Sequence, residues 1–246
     1  MDRMIYIGLG GAKQALEQQA SVAHNMANVS TPGFRAQINS FRAVPVVGEE
    51  MGTRAMVVAT TPGADMSAGP LMQTGRPLDV AVRGEGWLTV QMPDGSEAYT
   101  RLGNLQVGAE GQVSTQGGRP LMGDAGPLVV PPGASLVVGG DGVLTALGAG
   151  DPVVGAAEVG RLKLVNPAAA DLVRGDDGLF RMQAGRPAPQ ADPEVRLQTG
   201  ALEGSNVNPV EAMVQMISNA RRFEMQMKTL QTAESNEQQA NKLLSS

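Results

Sequence analysis

Hydrophobic residues recur at intervals of three and four along residues 202–244. The residues at this spacing are Met213, Met216, Ala220, Phe223, Met227 and Leu230. Such spacing is typical of the seam along which coiled-coil helices pack. Asn208 is a good helix N-cap, Pro209 suits the first helical position, and Glu211 stands where a capping-box acid is found. The pattern predicts a long helix that begins near Asn208 and continues to the end of the chain.

The N-terminal residues show the same periodicity. The residues at this spacing are Ile5, Leu9, Ala12, Leu16, Gln19, Ala23 and Met26. Gly8, Gly10 and Gly11 each weaken a helix by about 1 kcal/mol relative to alanine, so the first turns are expected to form only when another surface packs on them. Pro32 disfavours the α region for the residue before it, and this predicts that the helix ends near Asn28.

Short apolar runs separated by turn residues fill the middle of the chain. Strands are predicted at 78–82, 88–91, 99–101, 105–107, 113–115, 121–122, 128–130, 136–138, 143–147, 161–165 and 179–182. Strands this short, recurring this often, indicate an all-β domain, either a barrel or a sandwich. The predicted fold class is α+β, with N- and C-terminal helices forming a coiled-coil-like segment and with a central all-β domain of short strands.

The predicted elements divide the chain into five segments. Residues 1–35 form the N-terminal helix of a helical core segment, and residues 206–246 form its C-terminal helix. Residues 76–165 form the central β domain. Residues 36–75 and 166–205 are linkers with short strands, because glycine and proline interrupt both stretches.

The two terminal helices are expected to need partners. Burying about a dozen seam side chains contributes on the order of 20–35 kcal/mol, whereas ordering about 65 residues costs more than this in backbone entropy. We therefore expect the ends to order fully only against other copies or other proteins. The predicted assembly residues are Leu9, Leu16, Met26, Met213, Met216, Ile217, Phe223, Met227 and Leu230.

Composition excludes several classes of function. The net charge of −5 predicts no general nucleic-acid binding, and the absence of cysteine excludes disulfides and thiolate chemistry. No stretch approaches the roughly 20 apolar residues that a membrane helix needs, and residues 4–9 are too short for a signal-peptide core. With 32 glycines and 3% aromatic residues, the chain is expected to form turn-rich strands around a thin core.

Candidate chemistry is almost absent from the sequence. His24 is the only histidine, which excludes a multi-histidine metal site, and we expect it on a polar helix face. The run from Gly8 to Lys13 lacks the spacing and the ending of a phosphate-binding loop. Asp176, Asp177 and Gly178 lack the further oxygen ligands of a calcium loop and are interpreted as a turn. We expect no catalytic residue, no metal and no cofactor.

Three ordered motifs resemble the flagellar axial proteins, the family of rod, hook and hook-junction subunits. The first motif is Ala27-Asn28-Val29-Ser30-Thr31-Pro32-Gly33-Phe34, the second lies within residues 75–105, and the third is Leu202-Glu203-Gly204-Ser205-Asn206-Val207-Asn208. The family-signature residues are Ala27, Asn28, Ser30, Thr31, Pro32, Gly33, Phe34, Ser205, Asn206 and Val207. The opening residues and the length are most similar to those of the proximal rod proteins.

This resemblance implies a structural subunit of the bacterial flagellar basal-body rod rather than an enzyme. Members of the family are exported through the flagellar export apparatus without a cleaved signal, cross the periplasm and polymerise through their terminal helices into a torque-transmitting shaft. The implied partners are other copies of the chain and other rod proteins, with no nucleic acid and no direct membrane insertion. The Pro32-Gly33 break would lead the chain from the helical core to the β domain.

Two alternatives remain open from the sequence. The first is a distal rod or hook-type subunit of the same family. The second is a soluble β-domain enzyme with a helical dimerisation handle, which would need a polar constellation that the sequence does not display.

Overall fold

The chain forms two compact units in a computed structural model that describes residues 2–45, 55–59, 63–131, 133–148 and 157–244. The terminal-helix unit contains the described parts of Met1–Val29, Gln37–Asp65 and Val207–Ser246. The β unit contains Ser30–Ala36 and the described parts of Met66–Asn206. Each unit therefore draws on segments that are far apart in the sequence.

Two helices lie at the ends of the chain, as the periodicity predicts. Helix α1 spans Asp2–Ala27 and helix α2 spans Pro209–Leu244. The Asn208 side chain caps α2, because its Oδ1 accepts hydrogen bonds from the Val210 N–H at 3.0 Å and the Glu211 N–H at 3.3 Å. Within the described residues, neither helix is apolar enough over a sufficient length to cross a bilayer.

Helices α1 and α2 pack against each other within the terminal-helix unit. A methyl group added to Gly8 would lie 2.8 Å from Leu230 Cδ2, and one added to Gly11 would lie 3.0 Å from Gln226 Cδ. Residue numbers rise along one helix as they fall along the other, so the two helices run antiparallel. The glycines that weaken the isolated first turns thus give α2 room to approach.

Two small β-ladders complete the terminal-helix unit. Their strands are β1 (Gln37–Ile38), β2 (Phe41–Pro45), β3 (Ala55–Ala59) and β4 (Gly63–Ala64). Strand β1 pairs with β4, and β2 pairs with β3, both antiparallel. Asn25 of α1 holds β1 by two hydrogen bonds, because its Nδ2 donates to the Gln37 carbonyl at 2.9 Å and its Oδ1 accepts from the Gln37 N–H at 2.7 Å.

The β unit is built from sixteen short strands of the described residues. They are β5 (Leu71–Gln73), β6 (Val80–Arg83), β7 (Trp87–Gln91), β8 (Glu97–Thr100), β9 (Leu105–Val107), β10 (Val113–Thr115), β11 (Met122–Gly123), β12 (Gly126–Pro127), β13 (Ser135–Val138), β14 (Val143–Leu147), β15 (Ala157–Arg161), β16 (Leu164–Val165), β17 (Leu172–Arg174), β18 (Phe180–Met182), β19 (Arg196–Thr199) and β20 (Ala201–Glu203). The α+β class with two terminal helices and a central domain of short strands is confirmed.

The largest sheet has five strands in the order β16-β7-β8-β18-β17, and a second sheet has the order β13-β14-β15. The remaining strands of the β unit form two-stranded ladders, among them β19 with β6 and β20 with β5. These two ladders place residues 196–203 beside the first two strands of the unit, β5 and β6. The backbone of residues 196–203 is therefore hydrogen-bonded to strands that precede it by more than a hundred residues.

One continuous apolar cluster forms the core of the β unit. Its central members are 0–1% exposed and come from several ladders: Val80, Leu88, Val90, Leu105, Val113, Leu121, Leu144 and Leu162. These side chains are aliphatic, in keeping with the low aromatic content of the chain. The core is assembled from many strands that each contribute one or two buried residues.

Several segments differ from the predicted strands. Among residues 128–130, Val129 alone forms an isolated bridge, to Gln112, and the predicted strand at 161–165 is divided between the end of β15 and β16. Strands β17 and β19 lie in the predicted linker with short strands, but their positions were not predicted. Strand β17 has only three residues, Leu-Val-Arg, and pairs with the nearby β18. Strand β19 has one apolar residue in four and is held as a strand by pairing with the distant β6.

The packing at Gly8 predicts different effects for one substitution at two nearby glycines. Gly8→Gln is expected to lower the stability of the helix pair, because the new side chain meets Leu230, and Gly10→Gln is expected to raise helix stability by up to about 1 kcal/mol. A methyl group added to Gly10 meets nothing within 4 Å among the described residues. Circular dichroism at 222 nm during thermal unfolding measures both effects, and equal melting curves would contradict the packing.

Candidate assembly site

The two sides of α1 differ in exposure. Gly8, Ala12, Ala15 and Val22 are buried and follow one another at intervals of four, three and seven. Small side chains on this face allow the close approach of α2. Ile7, Leu9 and Leu16 are exposed instead, at 62%, 57% and 53%. The predicted assembly residues Leu9 and Leu16 therefore lie outside the contact with α2, and Met26 is half-buried.

Helix α2 divides the predicted seam between two faces. Leu230 contacts α1 at Gly8, and Phe223 and Met216 precede it at intervals of seven and are half-buried like it. The other half of the seam, Met213, Ala220 and Met227, is exposed. Buried Ala212, Asn219 and Ala233 show that the face packed within the chain is centred one position away from the predicted seam.

An exposed apolar stripe covers the first turns of α2. Val210, Met213, Val214 and Ile217 are 49–68% exposed. They are spaced three and four residues apart, so they lie on one side of the helix. Met225 continues the exposed apolar surface further along the helix. The predicted residue Ile217 is at the end of this stripe.

The signature after α1 forms a tight bend that leads into the β unit. The side-chain amide of Asn28 donates to the His24 carbonyl at 2.9 Å, and the Phe34 N–H donates to the Thr31 carbonyl at 3.3 Å. Gly33 has a φ of +68°, and a methyl group there would lie 2.3 Å from the carbonyl carbon of Arg101. Only glycine fits this position, because both the backbone conformation and the space exclude a side chain.

The N-terminal and C-terminal signatures meet inside the β unit. The Asn206 N–H donates to the Phe34 carbonyl at 3.3 Å, and Asn206 Oδ1 accepts from the Ala36 N–H at 2.7 Å. Asn206 Nδ2 also donates to the Ser67 carbonyl at 3.0 Å. Asn206 therefore joins three segments of the unit, and Ser205 beside it is buried.

A buried charge cluster lies next to this junction. Glu203 Oε1 is 2.6 Å from Arg35 Nη1, and Glu203 Oε2 is 3.0 Å from Arg101 Nη1. The three side chains are 1–5% exposed. Glu203 Oε1 also accepts a hydrogen bond from the Gly69 N–H at 3.0 Å, and the Glu203 carbonyl accepts from the Gly33 N–H at 2.7 Å. One residue thus binds three separate segments of the chain, residues 33–35, Gly69 and Arg101.

Trp87, the only tryptophan in the sequence, lies against both arginines of this cluster. The guanidinium carbons of Arg35 and Arg101 are 5.8 Å and 5.3 Å from the centroid of its ring, within the range of cation–π attraction. Burial lowers the pKa of Arg101, and the negative charge of Glu203 acts against this shift. The aromatic face therefore helps a single carboxylate to stabilise two buried positive charges.

Arg35, Arg101 and Glu203 were not among the residues predicted from the sequence. Two of these residues adjoin the family motifs: Arg35 directly follows Phe34 of the first motif, and Glu203 lies within the third. Glu203 is also a charged residue at the end of the buried strand β20. Among the residues the structure describes, no group of three or more His, Cys, Asp or Glu side chains is placed to hold a metal ion.

Two asparagines near the third motif are expected to stabilise different units. Asn206→Ala should lower the free energy of unfolding of the β unit by about 1–3 kcal/mol, because it leaves the Ala36 N–H and the Ser67 carbonyl without their partner. Asn208→Ala should instead weaken α2 by about 1 kcal/mol through loss of the cap. Trp87 fluorescence reports the first effect and circular dichroism at 222 nm the second. A shift of the fluorescence transition by Asn208→Ala alone would contradict this assignment.

Comparisons with known proteins place these motifs in one family. Residues 198–243 match the family described as flagellar basal body rod FlgEFG protein C-terminal, and residues 81–146 match the flagellar hook protein FlgE/F/G D1 domain. The chain is 54% identical over 250 residues to the flagellar basal-body rod protein FlgF of Salmonella typhimurium, covering 100% of this chain and 99% of the relative. Identity to FlgF of Escherichia coli is also 54%, with the same coverage, and FlgF of Buchnera aphidicola subsp. Schizaphis graminum is 32% identical over 99% of this chain and 98% of the relative. The chain therefore belongs to the FlgF family of flagellar basal-body rod proteins.

Proposed function

We propose that the chain polymerises through the exposed faces of α1 and α2 to build the proximal part of the flagellar rod. Membership of the family makes it a structural protein of the flagellar basal body rather than an enzyme. The observation that carries the finer proposal is the division of the terminal helices into an inner face, packed within the chain, and an outer apolar face that is exposed.

The outer face has the residues that a helix–helix interface needs. Val210, Met213, Val214 and Ile217 cover about two turns of α2, and each would contribute roughly 1.5–3 kcal/mol if fully buried. Methionine side chains adapt to irregular partners, which suits a surface that must fit several neighbours. The exposed residues Leu9 and Leu16 offer a second apolar surface on α1.

The split of the α2 seam supports a coiled-coil-like core. Phe223 and Leu230 lie on the inner face, whereas Met213 and Met227 are exposed. A helix with apolar residues on both faces can pack on one helix of its own chain and on another from a neighbouring subunit. In this proposal, residues 1–35 and 206–246 supply the helical core segment, residues 76–165 supply the central β domain, and residues 36–75 and 166–205 are the linkers between them.

The proposed partners are other copies of this chain and other rod proteins. The flagellar export apparatus is a further partner during secretion, which we propose to proceed without a cleaved signal peptide. The assembled rod would span the periplasm and transmit torque as neighbouring helices bury each other's apolar faces. A distal rod or hook-type position is the alternative within the family, and pull-down with individual rod and hook proteins distinguishes the two.

Substitution of the outer stripe tests the proposed interface. Ile217→Asp is expected to prevent incorporation into basal bodies, because it places a charge in the proposed contact, while Trp87 fluorescence shows a folded β unit. Gln231→Asp introduces the same charge at an exposed polar position of α2 and should leave incorporation unchanged. Basal bodies purified from cells that express each variant give the measurement. Normal incorporation of Ile217→Asp would overturn this interface.

Hydrogen exchange tests whether the helices depend on neighbours. Backbone amides of α1 and α2 are expected to exchange faster than those of the β core in dilute solution, because the outer faces are then uncovered. Their protection should increase at high protein concentration or after addition of other rod proteins. Full protection of both helices in a dilute monomer would show that the chain satisfies them by itself.

A further inference from the structure

We propose that Glu203 makes folding of the β unit conditional on the arrival of its C-terminal segment, residues 201–206. The carboxylate contacts Arg35, Arg101 and the Gly69 N–H, and each of these groups precedes it in the chain. Among the described residues, Glu203 supplies the buried carboxylate that pairs with both guanidinium groups, so neither ion pair exists before residue 203 joins them. Glu203 is therefore the closing contact of the unit.

The charge of Glu203, rather than hydrogen bonding alone, is what Arg35 requires. Within the described part of the chain, Arg35 Nε and Nη1 have no hydrogen-bond partner, although Nη1 lies 2.6 Å from Glu203 Oε1. Arg101 has further partners, because its Nη2 donates to the Gly84 carbonyl at 2.7 Å and its Nη1 lies 3.3 Å from the Val82 carbonyl. Removing one partner of a buried ion pair is strongly destabilising because the other charge is left uncompensated. Removing the Glu203 carboxylate affects two buried charges, those of Arg35 and Arg101.

The contribution of the carboxylate can be separated from that of the strand that carries it. Backbone pairing joins Glu203 of β20 to Leu71 of β5, and Leu202 to Met72. A glutamine at position 203 retains this pairing and nearly the same volume but removes the negative charge. Any loss on that substitution therefore measures the charge cluster and not the ladder.

The proposed role of Glu203 does not depend on assembly of the helices. All the contacts that carry it lie within the β unit, and its reporter is Trp87, which is 6% exposed and packed on both arginines. Unfolding of this unit therefore changes the surroundings of the single tryptophan in the chain. If the chain does not polymerise through its helices, Glu203 can still control folding of the β unit. If Glu203 does not control folding, the chain can still polymerise through its helices.

The test uses the full chain with Glu203→Gln and follows Trp87 fluorescence during urea unfolding and refolding. We expect the folding equilibrium constant to fall on the order of 10²- to 10³-fold. More than half of this change, on a logarithmic scale, should appear as slower refolding, because a closing contact is formed at the rate-limiting barrier. An unchanged refolding rate combined with faster unfolding would overturn the proposal, since the cluster would then form after the barrier.

Glu97→Gln is the matched control. Glu97 forms an ion pair with Lys163 at 2.6 Å in the same unit, but the two side chains are 21% and 17% exposed. Neutralising Glu97 should therefore change the folding equilibrium constant by less than about tenfold. The refolding rate should stay near that of the unchanged protein.

If Glu203→Gln is unfolded without urea, Arg35→Met serves in its place, because it leaves a balanced pair of Arg101 and Glu203. Its refolding rate is read by the same criterion, so slower refolding supports the proposal and an unchanged rate overturns it.

Discussion

A carboxylate held between two buried guanidinium groups is the interaction on which the organisation of the β unit depends. Glu203 is 1% exposed and lies within 3.0 Å of both Arg35 and Arg101. An ion pair at the surface would contribute little, because water and salt screen it. In the interior the same charges are costly unless they are paired, so the cluster selects the one arrangement in which all three side chains meet. The aliphatic core supplies most of the apolar burial, and the cluster specifies which chain segments close it.

The terminal helices follow a different principle. Glycine and alanine on the inner face of α1 provide no large apolar side chain, but they allow α2 to pack closely. Several larger side chains, among them Leu9, Leu16 and Ile217, are left on the outer faces. Helix α1 in particular buries small residues and exposes Ile7, Leu9 and Leu16. This inversion of the usual globular pattern is consistent with a subunit whose stability is completed by its neighbours.

Sequence periodicity predicted the helices well because their signals are local. The cap at Asn208 and the end of α1 near Pro32 depend on residues within a few positions of each other. Strands β9, β10 and β14 also have the predicted bounds, because each is a short apolar run between turn residues. Strand β19 could not be predicted in this way, since its partner β6 is more than a hundred residues away and three of its four residues are polar. Strand β17 has only three residues, too few to show a period.

The charge cluster lay beyond sequence reasoning for a related reason. Arg101 and Glu203 are 102 residues apart, and nothing in either local sequence specifies the other as its partner. The packed face of α2 includes Met216, Phe223 and Leu230 of the predicted seam, but residues 212 and 219 take the place of 213 and 220. Residues 212, 219 and 226 are alanine, asparagine and glutamine, and a search for large apolar side chains passes over them. Small and polar residues can define a packed face when the opposing helix carries glycine, and only the structure reveals this pairing.

The hydrogen bond from Asn206 Nδ2 to the Ser67 carbonyl brings the two ends of the long segment of the β unit, residues 66–206, side by side. When the two ends of a domain lie close together, the domain can be inserted between two neighbouring residues of another chain. A larger or smaller domain then leaves the distance between those two residues unchanged. Evolution could therefore enlarge, shrink or exchange this segment of the β unit while the segments on either side remain unaltered. The same geometry makes this position a suitable graft point for engineering foreign domains into the chain.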